Sequence, residues 1–153
     1  MKKISKLTIK TPIGLLEITA TDEAIVGVKP VNHEENTAAN DLAQKCRDEL
    51  EEYFAGKRKS FDLPLKGEGT DFQKQVWDQL KRIPCGEIRT YGEVAKMMGR
   101  PKASRAIGMA NHNNPILILV PCHRVIGADG SLTGYAAGIE AKKYLLDFEK
   151  KNN

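Results

Sequence analysis

The spacing of apolar residues changes along the chain, and this change limits the possible folds more than any other feature. Between residues 5 and 28 apolar side chains alternate with polar ones, as at Leu7 and Ile9 and again at Leu16 and Ile18. Alternation with a period of two is typical of strands, and the turn at 11–14 predicts antiparallel pairing. From residue 42 onward apolar residues mostly recur every three or four positions, as in helices. The sequence therefore predicts an α/β protein that begins with three short antiparallel strands.

Glycine and charged residues at 66–69 form the clearest linker in the chain. The strands and a helix that ends at Gly56 predict a first domain over residues 1–66. After the linker, Thr70 and Gln73 fit a capping box, which predicts a helix start. We predict a second domain over residues 67–153, with further helices over about 90–98, 102–111 and 139–150. Between the last two helices we expect a buried extended run at 116–120 and a hairpin or wing at 125–132.

Length and composition exclude several classes of protein. The chain has 153 residues, of which 41% are apolar and 29% charged, so it can bury a core and is not disordered throughout. No run approaches the roughly 18 apolar residues that span a bilayer. The basic start alternates in polarity and lacks the continuous apolar segment of a secretory signal. We therefore expect a cytoplasmic protein with no membrane association and with three free cysteines.

Positive charge is concentrated between Lys81 and Arg105. This stretch holds seven basic residues and two acidic ones, whereas residues 1–66 carry equal numbers of each sign. Such an excess attracts phosphate, so nucleic acid is one candidate partner. A solvated basic face with no partner is the other reading.

The helices predicted over 90–98 and 102–111 are joined by a short turn with glycine, the outline of a helix-turn-helix. The second of them is rich in small side chains and contains Gly108, although glycine costs a helix about 1 kcal/mol relative to alanine. Small residues allow close packing against a neighbouring helix. They would equally allow the helix to press into a DNA minor groove with Arg105 reaching inward.

The segment Pro121-Cys122-His123 combines a nucleophile with a base. Adjacent side chains of a strand point to opposite faces, so a contact between Cys122 and His123 requires a turn or a bridging water. The alternative is a core cysteine beside a surface histidine. Cys46 lies on the apolar face of the first helix and is expected in the core. Metal-ligand spacings and phosphate-binding glycine loops are both missing from the sequence, so we predict neither a metal site nor a cofactor.

The string from Pro121 to Gly127 resembles the active-site signature of the O6-alkylguanine-DNA alkyltransferases. Other matching segments follow in the family's order and spacing: 83–87, 90–95, 105–108, 114–115 and 133–136. The resemblance is strong over residues 70–150. It implies a C-terminal winged helix-turn-helix domain that carries the active-site cysteine. Residues 1–66 match only in outline, and there it implies a ribonuclease-H-like domain.

The resemblance also implies roles for residues of the second domain. Cys122 would take the alkyl group, His123 would act through a water as its base, and Glu149 would orient the histidine, the logic of an activated nucleophile. Asn114 would hold the loop of Cys122, and Tyr91 would donate to N3 of the departing purine. The remaining implied residues contact the base or the DNA: Arg105, which fills the gap left by the flipped base, and Ala103, Ser104, Ala106, Gly108, Val125, Tyr135 and Ala136.

The implied partner is double-stranded DNA containing O6-alkylguanine, with O4-alkylthymine as a second substrate, and the implied state is a monomer. A thioether product is not readily hydrolysed, so the protein would act once. Ala137 stands where the family usually has glycine and is expected to narrow the pocket against bulky adducts.

Three other functions compete with this interpretation. A lesion-binding relative would flag damage without repair, but such relatives lack the cysteine that is present here at position 122. A helix-turn-helix regulator would leave Glu149, Tyr91 and Asn114 unexplained. A thiol hydrolase would turn over and would have no need of a basic helix-turn-helix.

Overall fold

A computed structural model describes residues 3–37 and 39–152, which divide into two compact units. The first unit extends through Glu68 and includes Pro115–Leu117; the second consists of Gly69–Asn114 and the chain from Ile118 onward. Together they form an α/β protein with an antiparallel sheet in the N-terminal part and mostly helices in the C-terminal part. Within the described ranges, no helix is both long and apolar enough to cross a membrane.

The first unit is an antiparallel sheet with one helix packed against it. Strands β1 (Ser5–Thr11), β2 (Gly14–Ala20) and β3 (Ile25–Pro30) lie in sequence order, as the alternation predicts. Helix α1 (Asp41–Phe54) begins at Asn40, whose side chain accepts a hydrogen bond from the backbone N–H of Ala43. The inward residues of both layers form a core that includes Leu16, Ile18, Val28, Cys46 and Leu50.

A later segment of the chain extends this unit. The backbone of Val28 pairs with Pro115 and Leu117 on the edge of β3, through hydrogen bonds of 3.0 Å in both directions. The run at 116–120 is buried throughout, as predicted. It is not continuously extended, because Ile118 has a φ of 70° and the chain turns there. That expectation was wrong because periodicity does not reveal a turn inside an apolar run.

The second unit is built on helices. They are α2 (Asp71–Leu80), α3 (Tyr91–Met97), α4 (Ser104–His112) and α5 (Ile139–Lys151). Both α2 and α3 begin with a complete capping box, at Thr70 with Gln73 and at Thr90 with Glu93. Helix α4 packs on α2 and α3, and the buried indole N–H of Trp77 donates to the carbonyl of Ala110 at 2.8 Å. These contacts fix α4, which precedes the segment carrying Cys122.

Two sequence expectations in this unit are corrected. Helix α4 begins at Ser104 rather than Lys102, because the N–H of Ala103 closes a turn onto the carbonyl of Arg100 at 2.9 Å. The hairpin or wing expected at 125–132 keeps its turn, which the N–H of Gly127 closes onto the carbonyl of Ser131 at 2.9 Å, but the described chain has no antiparallel strand pair there. Strand β5 (Val125–Ile126) instead pairs in parallel with β4 (Arg89–Thr90), a strand far earlier in the chain.

Candidate active site

Cys122 begins a single 3-10 turn, Cys122–Arg124, and its side chain is buried. The N–H of Arg124 closes the turn onto the carbonyl of Pro121 at 3.0 Å. The turn removes the alternation of a strand, so Cys122 and His123 are no longer required to point to opposite faces. Such a turn was one of the two expectations, the other being a bridging water. The alternative of a surface histidine is wrong because His123 has no exposed area.

His123 and Glu149 form a buried pair. Nε2 of His123 lies 2.8 Å from Oε2 of Glu149, and both side chains are almost completely enclosed. An ionised carboxylate only accepts hydrogen bonds, so Nε2 carries the proton and Nδ1 carries the lone pair in the neutral ring. Among the described residues Nδ1 has no hydrogen-bond partner. It is therefore free to accept a proton.

Arg124 completes the charge balance of this pair. Its Nε and Nη2 donate to the two carboxylate oxygens of Glu149 at 2.8 and 2.9 Å, and Nη1 donates to the carbonyl of Ile83 at 2.7 Å. Two parallel bonds to one carboxylate are the strongest geometry for an arginine–carboxylate pair. Glu149 is thus held by Arg124 while it contacts His123.

These contacts set the charge of each group. Burial alone would raise the pKa of Glu149, but hydrogen bonds from His123 and Arg124 hold that pKa well below its ordinary range. Burial lowers the pKa of His123, although Glu149 opposes the shift. Near neutral pH the arrangement is an anionic carboxylate, a cationic guanidinium and a neutral imidazole. A neutral imidazole is the form that acts as a general base.

The thiol of Cys122 is protonated at rest. Burial raises its pKa to about 11, while a hydrogen bond from Asn114 and the positive charge of Lys142 lower it by less. Asn114 also donates to the carbonyl of Val120 at 2.8 Å, and Asn111 donates to the carbonyl of Cys122 at 3.3 Å. Two asparagines therefore hold the backbone on either side of Pro121.

Cys46 shows that burial alone does not make a nucleophile. Burial, followed by the charge of Glu49, raises the pKa of this core thiol to about 12. Its described surroundings contain no histidine–carboxylate pair like that of His123 and Glu149. Of the two buried thiols, only Cys122 is followed directly by a buried base.

The residues implied to bind substrate lie in different environments. The hydroxyl of Tyr91 lies 2.7 Å from Oγ1 of Thr133, in the loop before α5. Val125 is fully buried, and Ala136 is exposed. Tyr135 is buried with its hydroxyl unpaired within the described structure, and burial followed by the charges of Cys122 and Glu149 raises its pKa.

Helix α4 presents two faces. Ile107, Ala110 and Asn111 are buried, whereas Arg105, Ala106 and Met109 are exposed. Ala103 and Ser104, at the start of the helix, are half-buried. A Cβ on Gly108 would lie 3.9 Å from the ring of Tyr91, and one on Gly92 would lie 3.9 Å from Oγ of Ser104. Close packing of small residues against α3 is therefore confirmed for Gly108 and Ser104. The exposed face of α4 remains available to a partner.

Sequence reasoning missed Arg124, Lys142, Asn111 and Thr133. Arg124 and Thr133 lay inside quoted motifs but received no role. Lys142 has no exposed area and donates to the carbonyls of Val125 and Thr133 at 2.7 and 3.0 Å. Lys142 lies three residues before Leu145 and seven before Glu149, on the inward face of α5. A lysine at helical spacing on an inward face indicates a buried role, so the sequence did contain a signal for it.

Both parts of the chain are similar to known proteins of one family. The family profile described as 6-O-methylguanine DNA methyltransferase, DNA binding domain, matches residues 71–151, and the profile of the ribonuclease-like domain of the same enzymes matches residues 4–66. A methylated-DNA–protein-cysteine methyltransferase of Methanosarcina acetivorans is 50% identical over 92% of this chain and 94% of its own length. The constitutive enzyme of the same name from Bacillus subtilis is 43% identical over 94% of this chain and 93% of its own length.

Solved structures give the same result. The O6-methylguanine methyltransferase of Mycobacterium tuberculosis is 41% identical, with a TM-score of 0.90 over 99% of this chain and 95% of that one. The M. tuberculosis protein in complex with DNA is 44% identical, with a TM-score of 0.86 over 95% and 92% of the two chains. Similarity of this extent, over both units and including the buried Cys122 segment, shows that the chain belongs to the methylated-DNA–protein-cysteine methyltransferases, a family of DNA-repair enzymes.

Proposed function

We propose that this protein removes alkyl groups from O6 of guanine, and from O4 of thymine, in duplex DNA by transferring them irreversibly to Cys122. The observation that carries the proposal is the buried array around that thiol. A neutral His123 with a free Nδ1 lies beside the nucleophile in sequence, and its other nitrogen contacts an ionised Glu149.

The first step is loss of the thiol proton. Because burial raises the pKa of Cys122 to about 11, little thiolate exists at neutral pH and a base must accept the proton. The proton passes through a water to Nδ1 of His123. Glu149 then stabilises the imidazolium, and Arg124 holds the carboxylate in place. Asn114 and Lys142 stabilise the thiolate.

The second step is displacement at the alkyl carbon. The thiolate forms a C–S bond as the C–O6 bond breaks, and the bonding electron pair passes to the purine. Tyr91 donates its phenolic proton to N3 of the departing base, so the purine leaves neutral. The product is a thioether, which water does not readily hydrolyse, and each molecule therefore reacts once.

DNA binding and base flipping bring the alkylated base to the thiol of Cys122. O6 of guanine lies inside the base stack, so the nucleotide must leave the duplex before it reaches a buried thiol. The exposed Arg105 and Ala106 of α4 support this step: Arg105 fills the gap in the stack and Ala106 lines the minor groove, together with the half-buried Ala103, Ser104 and Gly108 beside them. Backbone groups of Cys122, Val125 and Ala136 read the base edge, and Tyr135 lines the pocket. The M. tuberculosis relative in complex with DNA supports this choice of partner.

The proposal also covers the domain organisation of the protein, its location and oligomeric state, and the size of its pocket. Residues 67–153 act as a winged helix-turn-helix domain in which α3 and α4 are the two helices, and residues 1–66 act as a ribonuclease-H-like domain. The protein acts as a cytoplasmic monomer without a metal or cofactor. Ala137 restricts the pocket to small adducts.

One incubation tests the proposal. The protein is mixed with a duplex containing O6-methylguanine, and the intact mass and the Cys122 peptide are measured. We expect the mass of one added methylene unit on Cys122, and no transfer by Cys122→Ala, which still binds DNA. An unchanged mass with bound duplex would instead support lesion flagging or regulation. Repeated turnover would support a thiol hydrolase.

A further inference from the structure

The Thr133 side chain makes a contact that the proposed mechanism does not use. Its Oγ1 lies 2.7 Å from the hydroxyl of Tyr91, 42 residues away in the chain. This separation is the usual one for a hydrogen bond between two hydroxyls. Either oxygen is able to donate, because each hydroxyl has one proton and two acceptor sites.

The backbone of Thr133 is held from inside the unit. Its carbonyl accepts a hydrogen bond from Nζ of Lys142 at 3.0 Å, and the same ammonium donates to the carbonyl of Val125 at 2.7 Å. Lys142 is fully buried, so the donor of this partly buried bond is shielded from water. Val125 directly follows the turn that carries Cys122. Thr133 is therefore fixed relative to the nucleophile segment even though its own side chain is exposed.

The ring of Tyr91 is held on another side by α4. Tyr91 is the first residue of α3, and its ring lies against Gly108 with no side chain between them. This packing limits the position of the ring but does not orient the hydroxyl proton. Among the described residues, Thr133 is the hydrogen-bond partner of that hydroxyl, so this contact orients the phenol O–H group.

We propose that Thr133 is a positioning residue for Tyr91 in the transfer reaction. This inference rests on the proposed function, in which Tyr91 is the proton donor to the purine. As the phenolic proton moves to N3 of the base, the Thr133 hydroxyl turns and donates a hydrogen bond to the developing phenolate oxygen. No proton leaves Thr133. A hydrogen bond to the charged form makes the phenol a stronger acid at the moment the base departs.

The test measures single-turnover transfer to Cys122 from a duplex containing O6-methylguanine. Thr133→Val keeps the branched shape but removes the hydroxyl, whereas Thr133→Ser keeps the hydroxyl. We expect Thr133→Val to slow transfer about 10-fold, less than the roughly 100-fold or greater loss of a whole general acid because Tyr91 keeps its own proton, and Thr133→Ser to stay within about twofold of the parent protein. Because Thr133 is exposed, both variants should keep the parent's thermal unfolding midpoint and its affinity for the duplex.

A double-mutant cycle with Tyr91→Phe separates this role from a structural one. If Thr133 acts through Tyr91, Thr133→Val has no further effect once the phenol hydroxyl is gone. An equal slowing in the Tyr91→Phe background, or equal rates for Thr133→Val and the parent, would overturn the inference. Thr133→Ala provides a second hydroxyl-free variant should valine perturb the loop. If Cys122 of the parent protein is never alkylated, the proposed function itself fails. That result differs from a rate of transfer that does not change when Thr133 is substituted.

Discussion

At the scale of the residue, Glu149 is the buried anion that binds both His123 and Arg124. It is 1% exposed, yet it is ionised, because Arg124 and His123 supply three hydrogen bonds to its two oxygens. Removing one partner of such a buried pair leaves the other charge uncompensated, so Glu149 matters for folding as well as for the proposed transfer. Its low pKa links that contribution to pH.

We expect Glu149→Gln to lower the free energy of unfolding at pH 7 by about 3–5 kcal/mol, because it leaves the buried guanidinium of Arg124 without its counter-charge. The folded-state pKa of Glu149 is depressed, so its contribution is full above the ordinary value of about 4.3 and is lost as the pH falls toward the folded value. Urea unfolding between pH 7 and pH 3 should therefore show a shallower pH slope for the variant.

Asp147→Asn is the matched control in the same helix. Its partner Lys143 lies 2.8 Å away, but both side chains are about two-thirds exposed, so the change should stay within about 0.5 kcal/mol. Equal effects of the two substitutions would contradict the buried-pair account.

In the proposed mechanism, His123 sets how the rate of transfer depends on pH. Burial lowers its pKa, so the imidazole stays neutral below the ordinary value of about 6.5. We expect the parent rate of transfer to remain level from pH 8 to about 6.5 and to fall only at lower pH, as Nδ1 becomes protonated.

His123→Gln should transfer about 100-fold or more slowly at pH 7, since the base is lost. Its rate should then rise with pH toward the pKa of Cys122, about 11, because only spontaneously formed thiolate reacts. Single-turnover rates measured by peptide mass across this pH range test both statements. A variant with the parent's pH profile would exclude His123 as the base.

At the scale of the element, helix α4 packs against Tyr91 of α3 at Gly108. A Cβ at Gly108 would make only an ordinary contact with the Tyr91 ring, at 3.9 Å. The packing therefore does not require glycine there, although it does require a small residue. Gly138 differs, because it precedes α5 with a φ of 101°, a conformation that residues with a Cβ rarely adopt.

We expect Gly108→Ala to raise the free energy of unfolding by about 0.5–1 kcal/mol through better helix propensity. Gly138→Ala should lower the free energy of unfolding by about 1–2 kcal/mol, because an extended backbone with positive φ is essentially confined to glycine. Chemical denaturation of both variants provides the comparison. Destabilisation by Gly108→Ala would show that the gap between α3 and α4 is tighter than this distance indicates.

At the scale of the whole molecule, charge is divided unevenly along the chain. The excess of basic over acidic residues falls in the second half, and Lys96, Arg100, Lys102 and Arg105 are exposed there on or next to α3 and α4. Contacts with phosphates release counterions, so DNA affinity should fall steeply as salt rises.

We expect Lys102→Gln to reduce the slope of log K against log salt by about 0.9, the value for one lost phosphate contact. Lys57→Gln is the control, since Lys57 is an exposed lysine of the first unit, outside the basic stretch. Fluorescence anisotropy with a labelled duplex at several salt concentrations measures both slopes. Equal changes in the two variants would argue against α4 as the DNA-binding element.

The sequence alone determined those structural features that depend on residues close together in the chain. The three strands follow from alternation, the starts of α2 and α3 follow from capping boxes, and the core position of Cys46 follows from helical spacing. The need for a turn at Cys122 and His123 followed from the geometry of a strand. In each case the interacting groups lie within a few residues, so their spacing is itself the evidence.

Only the tertiary structure decided which distant groups meet. Arg124 contacts Glu149 25 residues away, and Tyr91 contacts Thr133 across 42, whereas the pairing of His123 with Glu149 was expected only through the family resemblance. Strand β5 pairs in parallel with β4, which lies more than 30 residues earlier in the chain, and not with the segment that follows it. Such partners are chosen by the packing of whole helices and by the need to satisfy every buried charge, and neither requirement leaves a periodic signal in the sequence.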